Sequence, residues 1–138
     1  MFFNLRPGAL FSDLNLRKAA ALCFDKPATV AAATNGQAVT IDGDIPPLSW
    51  AYDPGTTKYE LNVAEANRLI QASGWVKGSD GVYAKNGVKF GDIIPVREGK
   101  PDRIEFTQLW ASAMNQDCGG NFTLRETDFS TLLDMIQN

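Results

Sequence analysis

The sequence predicts an α/β domain in which helices flank a mixed sheet, and three observations lead to that class. Amphipathic helical stripes recur along the chain, residues 82–90 indicate a tight hairpin, and a strand, a helix and a strand follow one another from Asp92 to Arg125. The hairpin implies antiparallel pairing, whereas the strand–helix–strand order implies parallel strands joined by a right-handed connection. With 138 residues, 44% of them hydrophobic, we expect residues 1–138 to form a single packed domain.

The first two helices have clear start and stop signals. Ser12 or Asp13 is a natural N-cap, and the apolar positions that follow recur with helical spacing. They are Leu16, Ala19, Ala20 and Cys23. A second helix is predicted after Asp25, with Pro27 in its first turn and Asn35-Gly36 at its end.

Residues 37–58 are too rich in proline and glycine to form one regular element. Apolar side chains are nevertheless spread along this segment. They are Ile45, Leu48, Trp50 and Tyr52. We therefore expect the segment to pack on the body of the domain.

The third helix is predicted to begin after Asn62, with Glu65 three residues later in the arrangement of a capping box. Its apolar stripe consists of Val63, Ala66, Leu69 and Ile70. Gly74 suits the left-handed position after a helix, and Trp75 suits the apolar residue that folds back onto it.

Four strands are predicted in the second half of the chain, namely the two arms of a hairpin and two further strands. Asn86-Gly87 supplies the positive φ angles of a two-residue turn, so residues 82–90 form a hairpin. A strand follows from Asp92 to Val96, in which Pro95 favours an edge or a strand end. Asn121 to Arg125 alternates polar and apolar residues, as a half-buried strand does.

Two further helices accompany these strands. The first is predicted from Pro101 or Asp102 to Gly119-Gly120, with one apolar face formed by Phe106, Leu109, Trp110, Ala113 and Met114. The last begins at Asp128. We expect its apolar residues to point inward, namely Leu132, Leu133 and Ile136.

Composition excludes several classes of function. The formal net charge is -3, from 13 basic and 16 acidic residues, so the chain lacks the basic surface expected of a nucleic-acid-binding domain. There is no histidine, which rules out a Ser-His-Asp triad or a histidine-ligated zinc within this chain. Two cysteines alone are too few for a structural zinc site. The sequence therefore indicates no cofactor and no nucleic-acid partner.

The order of these features resembles family 5 of the extracytoplasmic solute-binding proteins, which serve peptide and nickel ABC importers. The family motif F-x-D-x-x-[VL]-R-x-A, followed by an A-[IL]-D ending, corresponds to Phe11–Ala19 and Phe24-Asp25. The proline pair Pro46-Pro47 occupies the expected loop. The motif A-x-x-L-L-x-E-A-G-[WY] corresponds to Ala66–Trp75, with Ala72-Ser73 in place of Glu-Ala. The resemblance covers nearly all 138 residues and depends on the order of the motifs rather than on any one of them.

This resemblance implies one lobe of a type II periplasmic-binding-protein-like fold. It further implies that residues 1–138 are the core of the C-terminal lobe of a longer two-lobe protein. Such proteins close their lobes on a ligand by hinge motion and carry out no catalysis. The implied ligand is a peptide, with nickel complexes and sugars as alternatives, and the implied partner is the membrane permease of an ABC importer. The full-length protein is expected to be extracytoplasmic and lipid-anchored.

Five residues are candidates for ligand contact. Arg97, Glu98 and Arg103 follow the carboxyl end of a predicted strand and open a helix, where ligands of α/β sheets commonly bind. In the family, the matching loop borders the ligand cleft. The plain alternative is a solvated charged loop. Trp50 and Tyr52 are candidates for the cleft wall, and their plain alternative is the packing of a long connection.

Cys23 and Cys118 are candidates for a disulfide, because two cysteines in an exported protein are commonly paired. Free buried thiols are the alternative, since sequence alone does not place their Cα atoms within bonding distance.

Two other functions are compatible with the sequence. The chain could be a free-standing interaction domain without a small-molecule ligand of its own. It could also be a hydrolase that uses Asp42 and Asp44 as an acid pair, although Asp-Gly-Asp in a loop is more often turn chemistry.

Overall fold

The computed structural model describes residues 3–137 and contains two small sheets packed with helices. The helices are α1 (Leu14–Leu22), α2 (Lys26–Ala33), α3 (Val63–Ala72), α4 (Pro101–Asp117) and α5 (Phe129–Gln137), with a 3-10 turn at Leu10–Ser12 before α1. The strands are β1 (Val76–Lys77), β2 (Tyr83–Lys85), β3 (Val88–Lys89), β4 (Ile93–Arg97) and β5 (Thr123–Thr127). No helix in this part of the chain is long and apolar enough to cross a membrane.

The predicted α/β class is confirmed, and both parallel and antiparallel strand pairs are present. β1, β2 and β3 form an antiparallel sheet, and β4 and β5 form a separate parallel pair. The register of the parallel pair runs from Ile93 opposite Thr123 to Arg97 opposite Thr127. Because α4 connects these two strands, residues 93–127 form the predicted strand–helix–strand unit.

Local signals in the sequence explain where the first three helices begin. The side chain of Asp13 accepts a hydrogen bond from the amide of Asn15 at 2.8 Å, and that of Asp25 accepts one from Ala28 at 2.9 Å. Asn62 accepts one from the amide of Glu65 at 3.0 Å. Each of these oxygens satisfies an amide that the helix itself leaves without a partner.

The hairpin turn takes the predicted conformation. Asn86 and Gly87 have φ angles of 52° and 78°, so both central residues lie in the left-handed region that a two-residue turn of this type requires. The hairpin is joined to α3 by side chains. The hydroxyl of the buried Tyr83 donates to Asn67 at 2.9 Å and accepts a hydrogen bond from Gln71 at 3.0 Å.

The core lies between α1, α3 and α4. Its aromatic centre is Phe122, whose ring lies 5.4 Å from Phe90 and 5.2 Å from Trp110 between centroids. Trp75 packs edge-on against Phe90 at 5.2 Å. The indole of Trp110 also donates to the carbonyl of Ala20, which ties α4 to α1. The apolar positions that helical spacing predicted in α1 and α3 belong to the same core, where the two helices pack on each other, although Val63 is only partly buried.

Cys23 and Cys118 are joined by a disulfide that connects the end of α1 to the end of α4. Their Cα atoms are 6.3 Å apart, and both residues are fully buried. Beside this bond, the amide of Asn62 donates to the carbonyl of Leu22 at 2.8 Å. Residues 24–61 therefore begin and end beside the disulfide, and their first part stays on the core through the buried Phe24 and the packing of α2 against α4.

The prediction that residues 37–58 pack on the domain is wrong for its largest side chains. Leu48 and Trp50 are 101% and 98% exposed, and Ile45 is also exposed. The backbone turns through local hydrogen bonds, from the amide of Ser49 to the carbonyl of Pro46 and from Tyr52 to Ser49, so these side chains project outward. Tyr52 is half-buried.

Two predicted helical faces are also corrected. In α4 the buried residues are Thr107, Trp110, Ala111 and Met114, whereas Leu109 is exposed. In α5 no residue is buried, and Leu133 and Ile136 are exposed rather than inward-facing. The periodicity of α5 identifies its apolar face correctly, but the described residues do not cover that face.

Candidate functional site

The loop between β4 and α4 projects charged side chains from the carboxyl end of the parallel pair. Arg97 is the last residue of β4, and the amide of the next residue, Glu98, donates to the carbonyl of Thr127 at 3.0 Å. Gly99 has a φ of 69°, which lets the chain turn sharply into α4. The loop therefore lies at the edge of an α/β sheet where ligands commonly bind.

Arg97 is held in place by the first residue of α5. Its guanidinium carbon lies 4.5 Å from the centroid of the Phe129 ring, within the range of a cation–π contact. Glu98 and Arg103 are exposed and make no side-chain hydrogen bond or ion pair within residues 3–137. The structure thus places one oriented cation and two solvated charges within residues 97–103, which run from the end of β4 into the first turn of α4 and are called the loop at 97–103 below.

The start of α5 adds a carboxylate next to Phe129, the residue whose ring contacts Arg97. Asp128 accepts hydrogen bonds from the hydroxyls of Ser130 and Thr131 and from the amide of Thr131. The hydrogen bond from Ser130, followed by those from Thr131, holds the pKa of Asp128 well below its usual range. Asp128 is therefore an ionised cap beside Phe129 at neutral pH rather than a proton donor.

Trp50 and Tyr52 belong to a different surface segment. No hydrogen bond, ion pair or ring contact within the described part of the chain joins either residue to the loop at 97–103. The ring contact with α4 comes from Phe24, which precedes α2 and packs edge-on against Phe106 at 6.0 Å, and not from residues 37–58. The structure therefore groups Arg97, Glu98 and Arg103, but it does not bring the two aromatic candidates to them.

Sequence reasoning missed an apolar groove at the opposite end of β4. The groove has a volume of about 780 Å³ and is lined by the start of β4, the end of α5 and the segment before α1. Ile93, Ile94, Met135 and Ile136 contribute much of its apolar surface. The amphipathic pattern of α5 is the one feature of the sequence that could have indicated this groove, but such a pattern also fits a helix whose apolar face points into the core, as predicted above.

The proposed acid pair at Asp42 and Asp44 has little support from the geometry. Asp42 forms an ion pair with Lys26 at 3.1 Å, with both side chains largely shielded from solvent. Asp44 is exposed and makes no ion pair with another described residue. The two carboxylates therefore occupy different environments and do not share a site.

Within residues 3–137, no group of three or more histidine, cysteine, aspartate or glutamate side chains is placed to hold a metal ion.

The whole chain, residues 1–138, matches the sequence model of the bacterial extracellular solute-binding proteins, family 5 Middle. The chain belongs to this family. The predicted family resemblance is thus confirmed, and the family consists of binding proteins of ABC transport rather than enzymes. A comparison with curated proteins finds no match.

Solved structures of similar fold come from several bacteria. The oligopeptide-binding protein AppA of Bacillus subtilis, in complex with a nonapeptide, has a TM-score of 0.82 and 23% identity over 91% of this chain. NikZ of Campylobacter jejuni, in complex with Ni(L-His), has a TM-score of 0.84 and 23% identity over 94%. A mannohexaose-bound oligopeptide-binding protein of Thermotoga maritima has a TM-score of 0.80 and 20% identity over 96%.

These likenesses establish the fold of this family 5 chain, and the predicted type II periplasmic-binding-protein-like lobe is confirmed. The chain spans only 25% of AppA and 26% of each of the other two proteins. It therefore corresponds to a part of a lobe rather than to a whole receptor.

Proposed function

We propose that this chain is the core of the C-terminal lobe of a two-lobe ABC importer receptor for peptides. The observation that carries the proposal is the family match across residues 1–138. In this proposal the receptor captures its ligand between two lobes, closes by hinge motion without catalysis, and delivers the ligand to a membrane permease. The receptor acts outside the cytoplasm, and we expect it to be lipid-anchored.

We assign the loop at 97–103 to the ligand-facing edge of the lobe. Its position at the carboxyl end of the parallel pair supports this role, as does the exposure of Glu98 and Arg103. Arg97 and Arg103 suit the carboxylate of a peptide terminus, and Glu98 suits a peptide amine. The Phe129 ring pre-orients Arg97, which reduces the entropy lost when that cation contacts a ligand.

We assign Trp50 and Tyr52 to the wall of the ligand cleft. Support comes from the 98% exposure of Trp50, since an indole left in solvent is available to cover an apolar peptide side chain. Peptide is preferred as the ligand because AppA is an oligopeptide-binding protein in complex with a nonapeptide, and a sugar is an alternative because the Thermotoga maritima protein holds mannohexaose. A nickel complex is the second candidate, since NikZ holds Ni(L-His).

Substitution of the loop arginines in the full-length protein tests the proposed site. We expect Arg97→Gln and Arg103→Gln each to weaken peptide binding about tenfold, which corresponds to about 1.4 kcal/mol. Isothermal titration calorimetry with a panel of short peptides measures the change. Arg125→Gln is the matched control, because Arg125 is an exposed arginine in the middle of β5 and should leave the affinity unchanged. Equal affinities for the parent protein and all three variants would show that the loop at 97–103 does not contact the peptide.

A further inference from the structure

Two Asn-Gly dipeptides lie on the surface of the domain, and they differ in how their glycine amides are held. They are Asn35-Gly36 and Asn86-Gly87. Asparagine is chemically labile, most of all before glycine, which has no side chain to hinder an attack by its own amide nitrogen. All four residues are exposed, and their φ angles lie between 50° and 78°. Sequence, exposure and backbone conformation therefore do not separate the two sites.

The reaction open to such a dipeptide is deamidation through a cyclic succinimide. The backbone nitrogen of the glycine forms a bond to Cγ of the asparagine, while the bond from Cγ to the side-chain nitrogen breaks. That nitrogen leaves as ammonia together with the proton of the glycine amide. Water then opens the ring to aspartate or to isoaspartate. The reaction needs no partner except water, so its rate depends on how freely the glycine amide can turn toward the side chain.

The amide of Gly36 is held at the end of α2. It donates to the carbonyl of Ala31 at 2.8 Å, which is the bond that closes a Schellman motif after a helix. The amide of the next residue, Gln37, donates to the carbonyl of Thr34 at 3.0 Å. An attack by the nitrogen of Gly36 therefore has to break the end of the helix first.

The amide of Gly87 is not held in this way. It makes no hydrogen bond within residues 3–137. The nearest contact that closes the turn is the pairing of Lys85 with Val88 at the end of the hairpin. A side-chain carbon built on Gly87 would meet no atom within 4 Å, so nothing packs against the turn. Fraying at the tip of the hairpin is therefore enough to free the nucleophile.

The two Asp-Gly dipeptides, which begin at Asp42 and Asp80, are disfavoured by their ion pairs. An aspartate forms the same ring only from its protonated carboxyl, by loss of water. The ammonium of Lys89 lies 2.9 Å from Asp80 and holds the pKa of that carboxyl below its usual range. Asp42 is paired with Lys26 at 3.1 Å. Neither carboxylate is therefore a strong competitor for the reaction.

We propose that Asn86 is a site of spontaneous deamidation in the folded protein. Isoaspartate at this position lengthens the main chain by one carbon, and the two-residue turn between β2 and β3 depends on a fixed chain length. The conversion also adds a negative charge to the exposed end of the hairpin. The amide of Phe90 donates to the carbonyl of Tyr83 at 2.7 Å nearer the core, so the disturbance begins at the tip. The proposal does not depend on the ligand of the receptor.

Peptide mapping by mass spectrometry after incubation of the full-length protein at mildly alkaline pH tests this proposal. Asn35 is the internal control, because it also precedes a glycine. We expect Asn86 to convert at least about fivefold faster than Asn35 in the folded protein. In urea the two sites should convert at similar rates, since the hydrogen bonds of Gly36 are then lost. A ratio in the folded protein that is no larger than the ratio in urea would overturn the proposal.

The variant Asn86→Gly assigns the modified residue. Gly-Gly suits the same type of turn and carries no side-chain amide. We expect isoaspartate to accumulate in the peptide that spans residues 83–90 of the parent and to be absent from the same peptide of the variant. A parent peptide that stays free of isoaspartate in the folded protein, under conditions in which the urea-unfolded protein converts, would also overturn the proposal.

Discussion

Asp128 shows how one carboxylate can both start a helix and make it sensitive to pH. It accepts hydrogen bonds from the hydroxyls of Ser130 and Thr131 and from the amide of Thr131. These bonds favour the ionised carboxylate, so the pKa of Asp128 is lower in the folded chain than in the unfolded one. The folded state therefore binds fewer protons than the unfolded state as the pH falls.

The stabilisation from Asp128 should be present at neutral pH and disappear in acid. We expect Asp128→Ala to lower the thermal midpoint of the 138-residue chain at pH 7. The difference from the parent should shrink as the pH falls below about 4, because the unfolded chain then binds a proton at Asp128 while the folded chain still holds this carboxylate ionised. Circular dichroism melts at a series of pH values measure this.

Asp44→Ala is the control for that series, since Asp44 is exposed and has no hydrogen-bond or ion-pair partner within residues 3–137. A difference between Asp128→Ala and the parent that stays constant down to strongly acidic pH would contradict the assignment of the cap.

At the scale of single residues, the sequence predicts what is decided locally. The caps Asp25 and Asn62 are predicted from the sequence, as is Ser12 or Asp13 for the first helix, because a cap needs only the amides two or three residues ahead. The structure selects Asp13 of that pair. The exposure of Leu48 and Trp50 could not be predicted in this way. Whether an apolar side chain is buried depends on the surface opposite it, and the turns between Pro46 and Tyr52 direct these two away from the domain.

At the scale of elements, the disulfide anchors both ends of a segment that consists of α2 and a long irregular stretch after it. Residues 24–61 begin beside Cys23 and end where the amide of Asn62 meets the carbonyl of Leu22. Cys118 fixes this point to the end of α4, across a sequence separation of 95 residues. A bond that closes so long a loop restricts the unfolded chain strongly.

Removal of the disulfide should destabilise the domain and release this segment first. We expect the double substitution of Cys23 and Cys118 by alanine to cost about 2–5 kcal/mol of unfolding free energy, measured by urea denaturation. Limited proteolysis of the variant should cut within residues 24–61 before any other site. Unchanged unfolding free energy, or first cleavage elsewhere, would show that the bond does not anchor the segment.

Periodicity predicted the helices well but did not predict their partners. The apolar face of α5 is visible in the sequence, yet it is exposed because the sheet beneath it has only two strands. The strand β1 escaped prediction for a related reason. It contains only Val76 and Lys77 and exists because β2 pairs with it, so its own residues carry almost no signal.

At the scale of the whole molecule, the order of the motifs predicted the family and the fold, whereas the ligand site stays a prediction. Arg97, Glu98 and Arg103 were chosen because they follow a strand, and the structure keeps them in one loop at the edge of the parallel pair. Trp50 and Tyr52 were chosen for their residue type alone, and no contact joins them to that loop in the described part of the chain. A cleft between two lobes needs both lobes to be defined, and this chain spans about a quarter of its structural relatives.

The most direct test of the account is a comparison of peptide binding by the full-length protein and by residues 1–138 alone. In isothermal titration calorimetry, we expect the full-length protein to bind at least one short peptide with a Kd of about 10 μM or tighter. The isolated chain should bind the same peptide with a Kd weaker than about 1 mM, because it supplies only one side of the cleft. Micromolar binding by residues 1–138 alone, or no binding of any peptide by the full-length protein, would contradict the account.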